Sequence, residues 1–219
     1  SDVLGTTYDV VDDAATVAGA ITAGNPEVNG AASITTNGGA VSLSFADADS
    51  LLNGNGTAPA QIGSVASDVT VTGTISVDQA SDVLGTTYDV VDDAATVAAA
   101  ITAGNAEVNG AASITTNGGA VDLSFTDADS LLNGNGVAPM QTGSVAADVT
   151  VTNDISVAEA SSVLGATYDV VDDAATVAGA ITAGNAEVNG AASITTNGGA
   201  VDLSFTDADS LLNGDGGAP

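Results

Sequence analysis

Asp148-Val149-Thr150-Val151-Thr152-Asn153-Asp154-Ile155-Ser156-Val157-Ala158-Glu159-Ala160 carries two structural signals in one short run. Valine and threonine alternate over Asp148–Thr152, so a strand there has one apolar and one polar face. Ser156 and Glu159 then stand at the spacing of a capping box, in which each side chain satisfies a backbone N–H at the start of a helix. The related run Thr74–Gly85 has Ser76 and Gln79 in the box, Val77, Ala80 and Leu84 at helical spacing, and Gly85 at the exit. Leu123–Gly134 repeats the pattern. A third helix is predicted after Asp92, with Ala94, Val97, Ala98 and Ile101 on one stripe and Gly104 at its end.

Each helix follows a strand-like run. Thr87–Val91 and Ala120–Leu123 alternate as Asp148–Thr152 does, and Ser42 stands in the first copy where Asp122 stands in the second, which marks an outward position. Ser113-Ile114-Thr115-Thr116 is a further strand, and the Asn117-Gly118-Gly119 behind it predicts a hairpin with Val121–Leu123.

The whole pattern recurs with a period of 80 residues, SDVLGTTYDVVDDAATVA at Ser1 and Ser81 returning as SSVLGATYDVVDDAATVA at Ser161. Residues 81–139 and 161–219 differ only at Asp82/Ser162, Thr86/Ala166, Ala99/Gly179, Asn135/Asp215 and Val137/Gly217. The copies run 1–80, 81–160 and 161–219, the third lacking the last 21 residues of the period. Near-identical copies imply near-identical surroundings, as a stacked array provides. Ser1 corresponds to Ser81 inside a predicted helix, so the expectation is a window from a longer array. The rival expectation is a subunit completed by a neighbouring chain.

Strand and short helix in alternation argue for a parallel sheet with helices along one face. The fold expected is α/β: a repetitive β/α solenoid of short strands and short capped helices, with about three strand–helix units in each period. Three tandem α+β domains, or an all-β array in which the helices are really loops, are the alternatives.

Composition excludes most chemistry. The chain of 219 residues has no Lys, Arg, His or Cys against 28 Asp and Glu, a formal net charge of −28. There is no imidazole base, thiolate, amine or guanidinium, which removes Ser-His-Asp and Cys-His catalysis, thiolate or imidazole zinc sites and the P-loop lysine. The reading is therefore not an enzyme. Paired carboxylates of the glycosidase or aspartic-protease kind survive this filter, but here every acid recurs with the repeat instead of forming one singular pocket. A polyanion without cations has nothing to displace counter-ions from phosphates, so no nucleic-acid partner is expected. No apolar run reaches the roughly 18 residues of a membrane span, so no membrane insertion is expected either. Nor is the chain read as disordered, since 44% of it is apolar and mean hydropathy is +0.32.

The acids offer one candidate metal site per copy: Asp47, Asp49, Asn53 and Asn55; Asp127, Asp129, Asn133 and Asn135; Asp207, Asp209, Asn213 and Asp215. Carboxylate and amide oxygens among glycines suit Ca²⁺, the one cofactor considered, although two leucines interrupt any EF-hand spacing. The competing reading is a capped helix with solvated acids. Asp92 and Asp93 are read as first-turn carboxylates that cap a helix. Thr70/Thr72 and Thr150/Thr152 are too sparse to tile an ice-binding face, and Asn55-Gly56-Thr57 is a lone sequon. With no side-chain cation, self-repulsion must be offset by counter-ions.

Thr72-Gly73-Thr74 through Ala80, and Asp92 through Ile101, resemble the TVTGTxTVAQA-like and DTAANL-like repeats of giant secreted bacterial cell-surface proteins. The resemblance implies a long extracellular polymer, often calcium-associated, used in attachment, although no nonapeptide calcium repeat is present. The function expected is a structural, non-enzymatic spacer of a surface adhesin or fibre. The alternatives are a self-assembling extracellular filament subunit and a calcium-dependent binding module. Expected partners are neighbouring repeats, copies of the chain itself, or a cell-surface or matrix component reached through regions outside this chain.

Overall fold

A computed structural model describes residues 7–54, 65, 68–134 and 147–213. The chain is a mixed α/β protein with sheets of parallel strand pairs. The first 80-residue stretch contains β1 (Asp9–Asp12), α1 (Ala14–Thr22), α2 (Pro26–Asn29), β2 (Ser33–Thr36), β3 (Val41–Leu43), α3 (Phe45–Asn53), β4 (Val69–Ile75) and α4 (Val77–Ala80). The second contains β5 (Thr87–Asp92), α5 (Ala94–Thr102), α6 (Ala106–Asn109), β6 (Ser113–Thr116), β7 (Val121–Leu123), α7 (Phe125–Asn133), β8 (Val149–Val151) and α8 (Val157–Ala160). The third contains β9 (Asp169–Asp172), α9 (Ala174–Ala183), α10 (Ala186–Asn189), β10 (Ser193–Thr196) and α11 (Phe205–Asn213). These helices remove the all-β alternative.

The chain divides into two compact units. One is 1–92 with 105–115, the other 93–104 with 116–219. In the first, β1 pairs with β2, and a separate sheet has the order β3-β4-β5-β6. Its β3–β4 register places Val41 on Val69 and Leu43 on Val71, all four buried. The alternation read from the valines and threonines thus sets which face enters the core. The register of β4 against β5 shifts between Thr70 and Thr74, around Gly73 at φ +82°. That is a bulge at a residue without a Cβ.

In the second unit β7 pairs with β8 and β9 with β10, while single parallel bridges join Thr150 to Thr167 and Ile155 to Val170. Asn153 occupies the position of Gly73, and β8 stops at Val151. Its side-chain Oδ1 instead accepts from the Phe125 N–H at 2.9 Å, at the start of α7.

Three local expectations are corrected. Ser113–Thr116 and Val121–Leu123 do not form a hairpin: β6 belongs to the β3-β4-β5-β6 sheet and β7 pairs parallel with β8, and in the first copy β2 and β3 likewise lie in different sheets with parallel partners. The glycines at φ +108° and +87° in the Asn37-Gly38-Gly39 connector send the chain into a second sheet instead of back along the first. The same connector precedes β7, which pairs parallel with β8. Second, the helix of Ser76–Gly85 is one α-turn followed by a 3-10 turn over Ser81–Val83. A 3-10 turn repeats every third residue. Val77, Ala80 and Val83 therefore form the buried stripe, and Leu84 is 42% exposed. Third, the buried face of α5 is Ala94, Val97, Ala100 and Ile101, with Ala98 only half-buried.

Candidate functional site

Acids are the only charged side chains the sequence supplies. In each copy the carboxylate of Asp47, Asp127 or Asp207 lies in the first turn of α3, α7 or α11 and accepts from the N-cap hydroxyl of Ser44 (2.9 Å), Ser124 (2.8 Å) or Ser204 (2.7 Å). A second hydroxyl reaches the same oxygen, from Thr22 at 3.2 Å, Thr102 at 3.4 Å and Thr182 at 3.3 Å. Asp49, Asp129 and Asp209 accept from the side-chain amides of Asn53, Asn133 and Asn213 at 2.8, 2.7 and 2.7 Å. These asparagines turn their NH₂ group, not an oxygen, toward the acid. In the first two copies the same NH₂ also donates to a backbone carbonyl, of Asp82 at 2.7 Å and of Ser162 at 2.6 Å. Asn55, Asn135 and Asp215 lie outside the described residues, as does the Asn55-Gly56-Thr57 sequon. Among the described residues no group of three or more Asp or Glu gathers as a cation cluster.

Asp92 and Asp93 part company. Asp93 is the N-cap of α5, accepting from the Thr96 N–H at 3.0 Å and its hydroxyl at 2.6 Å; it precedes the first turn instead of lying in it. Asp92 reaches back to α4, where its Oδ2 accepts from the Val77 N–H at 3.0 Å. Asp172 does the same for Val157. The equivalent caps Asp13 and Asp173 are held below the ordinary carboxylate range, first by the hydroxyl of Thr16 or Thr176 and then by the backbone N–H of the same threonine. Glu159 is lowered by the Ser156 N–H that completes its capping box, then by the Ser156 hydroxyl.

The remaining polar links brace strands. Ser33, Ser113 and Ser193 donate to Asp9, Asp89 and Asp169 at 2.6, 2.5 and 2.5 Å across parallel strand pairs. Thr36 donates to Asp68 and Thr116 to Asp148, at 2.7 and 2.8 Å. Thr72 and Thr152, the threonines considered for ice binding, give their hydroxyls to the carbonyls of Leu43 and Leu123.

Two features escaped the sequence reading. The one-turn helices α2, α6 and α10 were signalled by Asn25, Asn105 and Asn185 before them and, in the first copy, by Pro26 at the first helical position. Tyr88 and Tyr168, each 1% exposed, donate to the carbonyls of Glu107 and Glu187. Burial, followed by the nearby glutamate charge, raises both phenols above their ordinary value. No local pattern announces that long-range pairing.

Chemically, then, the acids named above act as hydrogen-bond acceptors for caps and cross-strand hydroxyls, repeated from copy to copy. No helix among the described residues is long and apolar enough to cross a membrane. No family model, curated protein or solved structure matches this chain.

Proposed function

We propose that this chain is a structural, non-enzymatic repeat: a β/α solenoid serving as an extended acidic spacer in an extracellular surface adhesin or fibre. The observation that carries the reading is the pairing of β4 with β5, which joins the first 80-residue copy to the second in one parallel sheet. Copies that share a sheet grow by adding strands, and each added copy buries the apolar side of the last. A surface with acids and no side-chain cations repels others of its kind, which keeps neighbouring spacers apart. The lack of Lys and Arg also leaves no trypsin cleavage site.

Small-angle scattering tests this. The maximum dimension should grow by a constant increment for each 80-residue copy added, at unchanged cross-section. Growth as the cube root of mass would sink the solenoid reading.

A further inference from the structure

The dipeptide Asn-Gly recurs through this chain, and among the described residues it stands in three settings. Such a pair can modify itself, because glycine has no Cβ to shield its nitrogen and the asparagine Cγ is one five-membered ring away. Ring closure needs a glycine N–H and a side-chain amide that nothing else holds. At the ends of α3 and α7 both are held. Gly54 and Gly134 donate their N–H groups to the carbonyls of Ser50 and Ser130 at 3.0 and 2.9 Å. The amides of Asn53 and Asn133 donate to Asp49 and Asp129 and to the carbonyls of Asp82 and Ser162. After α2, α6 and α10 the glycine N–H is held again, Gly30, Gly110 and Gly190 donating to the carbonyls of Pro26, Ala106 and Ala186 at 2.9, 2.8 and 2.8 Å.

The third setting is the Asn-Gly-Gly connector at 37–39, 117–119 and 197–199. Its approach is pinned. The β1–β2 and β9–β10 ladders end at Asp12/Thr36 and Asp172/Thr196, and the N–H groups of Asn37 and Asn197 donate once more, to the carbonyls of Asp12 and Asp172 at 2.9 Å each. Its second glycine is seated on the first residue of the preceding long helix. A Cβ on Gly39, Gly119 or Gly199 would lie 3.7, 3.6 or 3.5 Å from the Cβ of Ala14, Ala94 or Ala174. Between these anchors the first glycine lies beyond the strand, at φ +108°, +106° and +116° in Gly38, Gly118 and Gly198, with open space where a Cβ would be. All three asparagines are exposed.

We propose that Asn37, Asn117 and Asn197 are self-modification sites, at which the backbone nitrogen of the following glycine and a water molecule convert the side-chain amide into a carboxylate. The Gly38 nitrogen gives up its proton to base and bonds to Cγ of Asn37. The Cγ–Nδ2 bond then breaks, and ammonia leaves with a proton taken from water. A second water opens the cyclic imide at one of its two carbonyls, leaving aspartate or iso-aspartate. Nothing is oxidised or reduced. Each conversion adds one negative charge to a chain that has no side-chain cation to offset it, and iso-aspartate lengthens the connector by one backbone CH₂. The repeat thus grows more acidic with age at one fixed point in each copy. The inference holds for a spacer, a filament or any other role of the chain.

The test incubates the intact chain, native and unfolded in urea, at pH 6 and pH 9. Digestion with pepsin, whose acid conditions stop the reaction, followed by mass spectrometry gives amide loss residue by residue. Sampling continues until the unfolded chain has converted at every position compared. In the native chain Asn37, Asn117 and Asn197 should convert at least tenfold faster than Asn29, Asn53, Asn109, Asn133 and Asn189. They should be faster at pH 9 than at pH 6, and each should give two products of equal mass. In urea the difference between the two sets should vanish. On anion exchange the native chain should elute later as it ages, while a variant carrying Asn37→Gln, Asn117→Gln and Asn197→Gln should hold its position. Connectors that convert as slowly as the helix ends overturn the proposal. Equal rates at all eight positions in the native chain overturn it too, as does a triple variant whose elution shifts as fast as the original's.

Discussion

The hydroxyl of Tyr88 donates to the carbonyl oxygen of Glu107 at 2.9 Å and lies 2.8 Å from where a Cβ on Gly110 would be. Tyr168, Glu187 and Gly190 repeat the arrangement, with the hydroxyl bond and the Cβ approach both at 3.0 Å. The glycine is required by close approach, not by backbone conformation, since Gly110 has φ −93°.

Gly110→Ala should therefore destabilise the protein by about 1–3 kcal/mol, the usual cost of overpacking. Its new methyl would also meet the Ala106 carbonyl at 3.1 Å, which cannot swing aside as a side chain can. Tyr88→Phe should cost about 1 kcal/mol for the lost hydrogen bond. The double variant should be more stable than the sum of the two predicts, because removing the hydroxyl makes room for the methyl. Urea unfolding of all four proteins gives the coupling.

Tyrosine ionisation supplies a second test. A phenol whose folded value is raised stabilises the fold fully below its unfolded value and loses that contribution as pH rises through the folded one. Absorbance at 295 nm should show Tyr88 and Tyr168 ionising only above pH 10, with stability falling across the same range. Ionisation of both at or below pH 10 in the folded protein would contradict their burial.

At the acid end the sign reverses. Asp13, Asp173 and Glu159 are lowered, so what they contribute is present above their unfolded values and lost as pH falls below about 4. Glu159→Gln should remove its share of that pH dependence yet keep the box, because Gln79 already makes the same pair with Ser76, accepting from its N–H at 3.0 Å. Denaturant titrations at pH 7 and pH 3 of wild type and variant make the comparison.

Identical sequence should give unequal energetics along the chain. Leu131→Ala removes a side chain that is 0% exposed and should cost about 2–5 kcal/mol. Leu211→Ala, at the matching position of α11, removes a side chain that is only half-buried and should cost less. Equal costs would mean that the α11 face is covered in solution.

The calcium proposal has its own readout. Asp47, Asp49 and their equivalents are engaged by hydroxyl and amide donors, so salt should act on this chain by screening. EDTA should leave Tm unchanged, and CaCl₂ should raise it no more than NaCl does at equal ionic strength. A rise specific to calcium would show the Asp47–Asn53 pattern to be a binding site.

What the sequence determined by itself was local. Alternating valines fixed which faces of β4 and β8 are apolar, and Ser76–Gln79 and Ser156–Glu159 fixed where short helices begin, because both signals act over neighbouring residues. The swap of Ser42 for Asp122 marked an exposed position, and both are exposed. The absence of side-chain cations was equally final, as no fold can supply a charge the chain lacks. Tertiary structure decided the rest. It placed β2 and β3 in different sheets despite the Asn-Gly-Gly signal, since parallel partners elsewhere offered the backbone its hydrogen bonds. It sent Asp92 to cap α4 instead of α5 and turned the asparagine amides toward the carboxylates. Each of these depends on which distant segment arrives alongside, and the order of residues along a chain carries no distance between them.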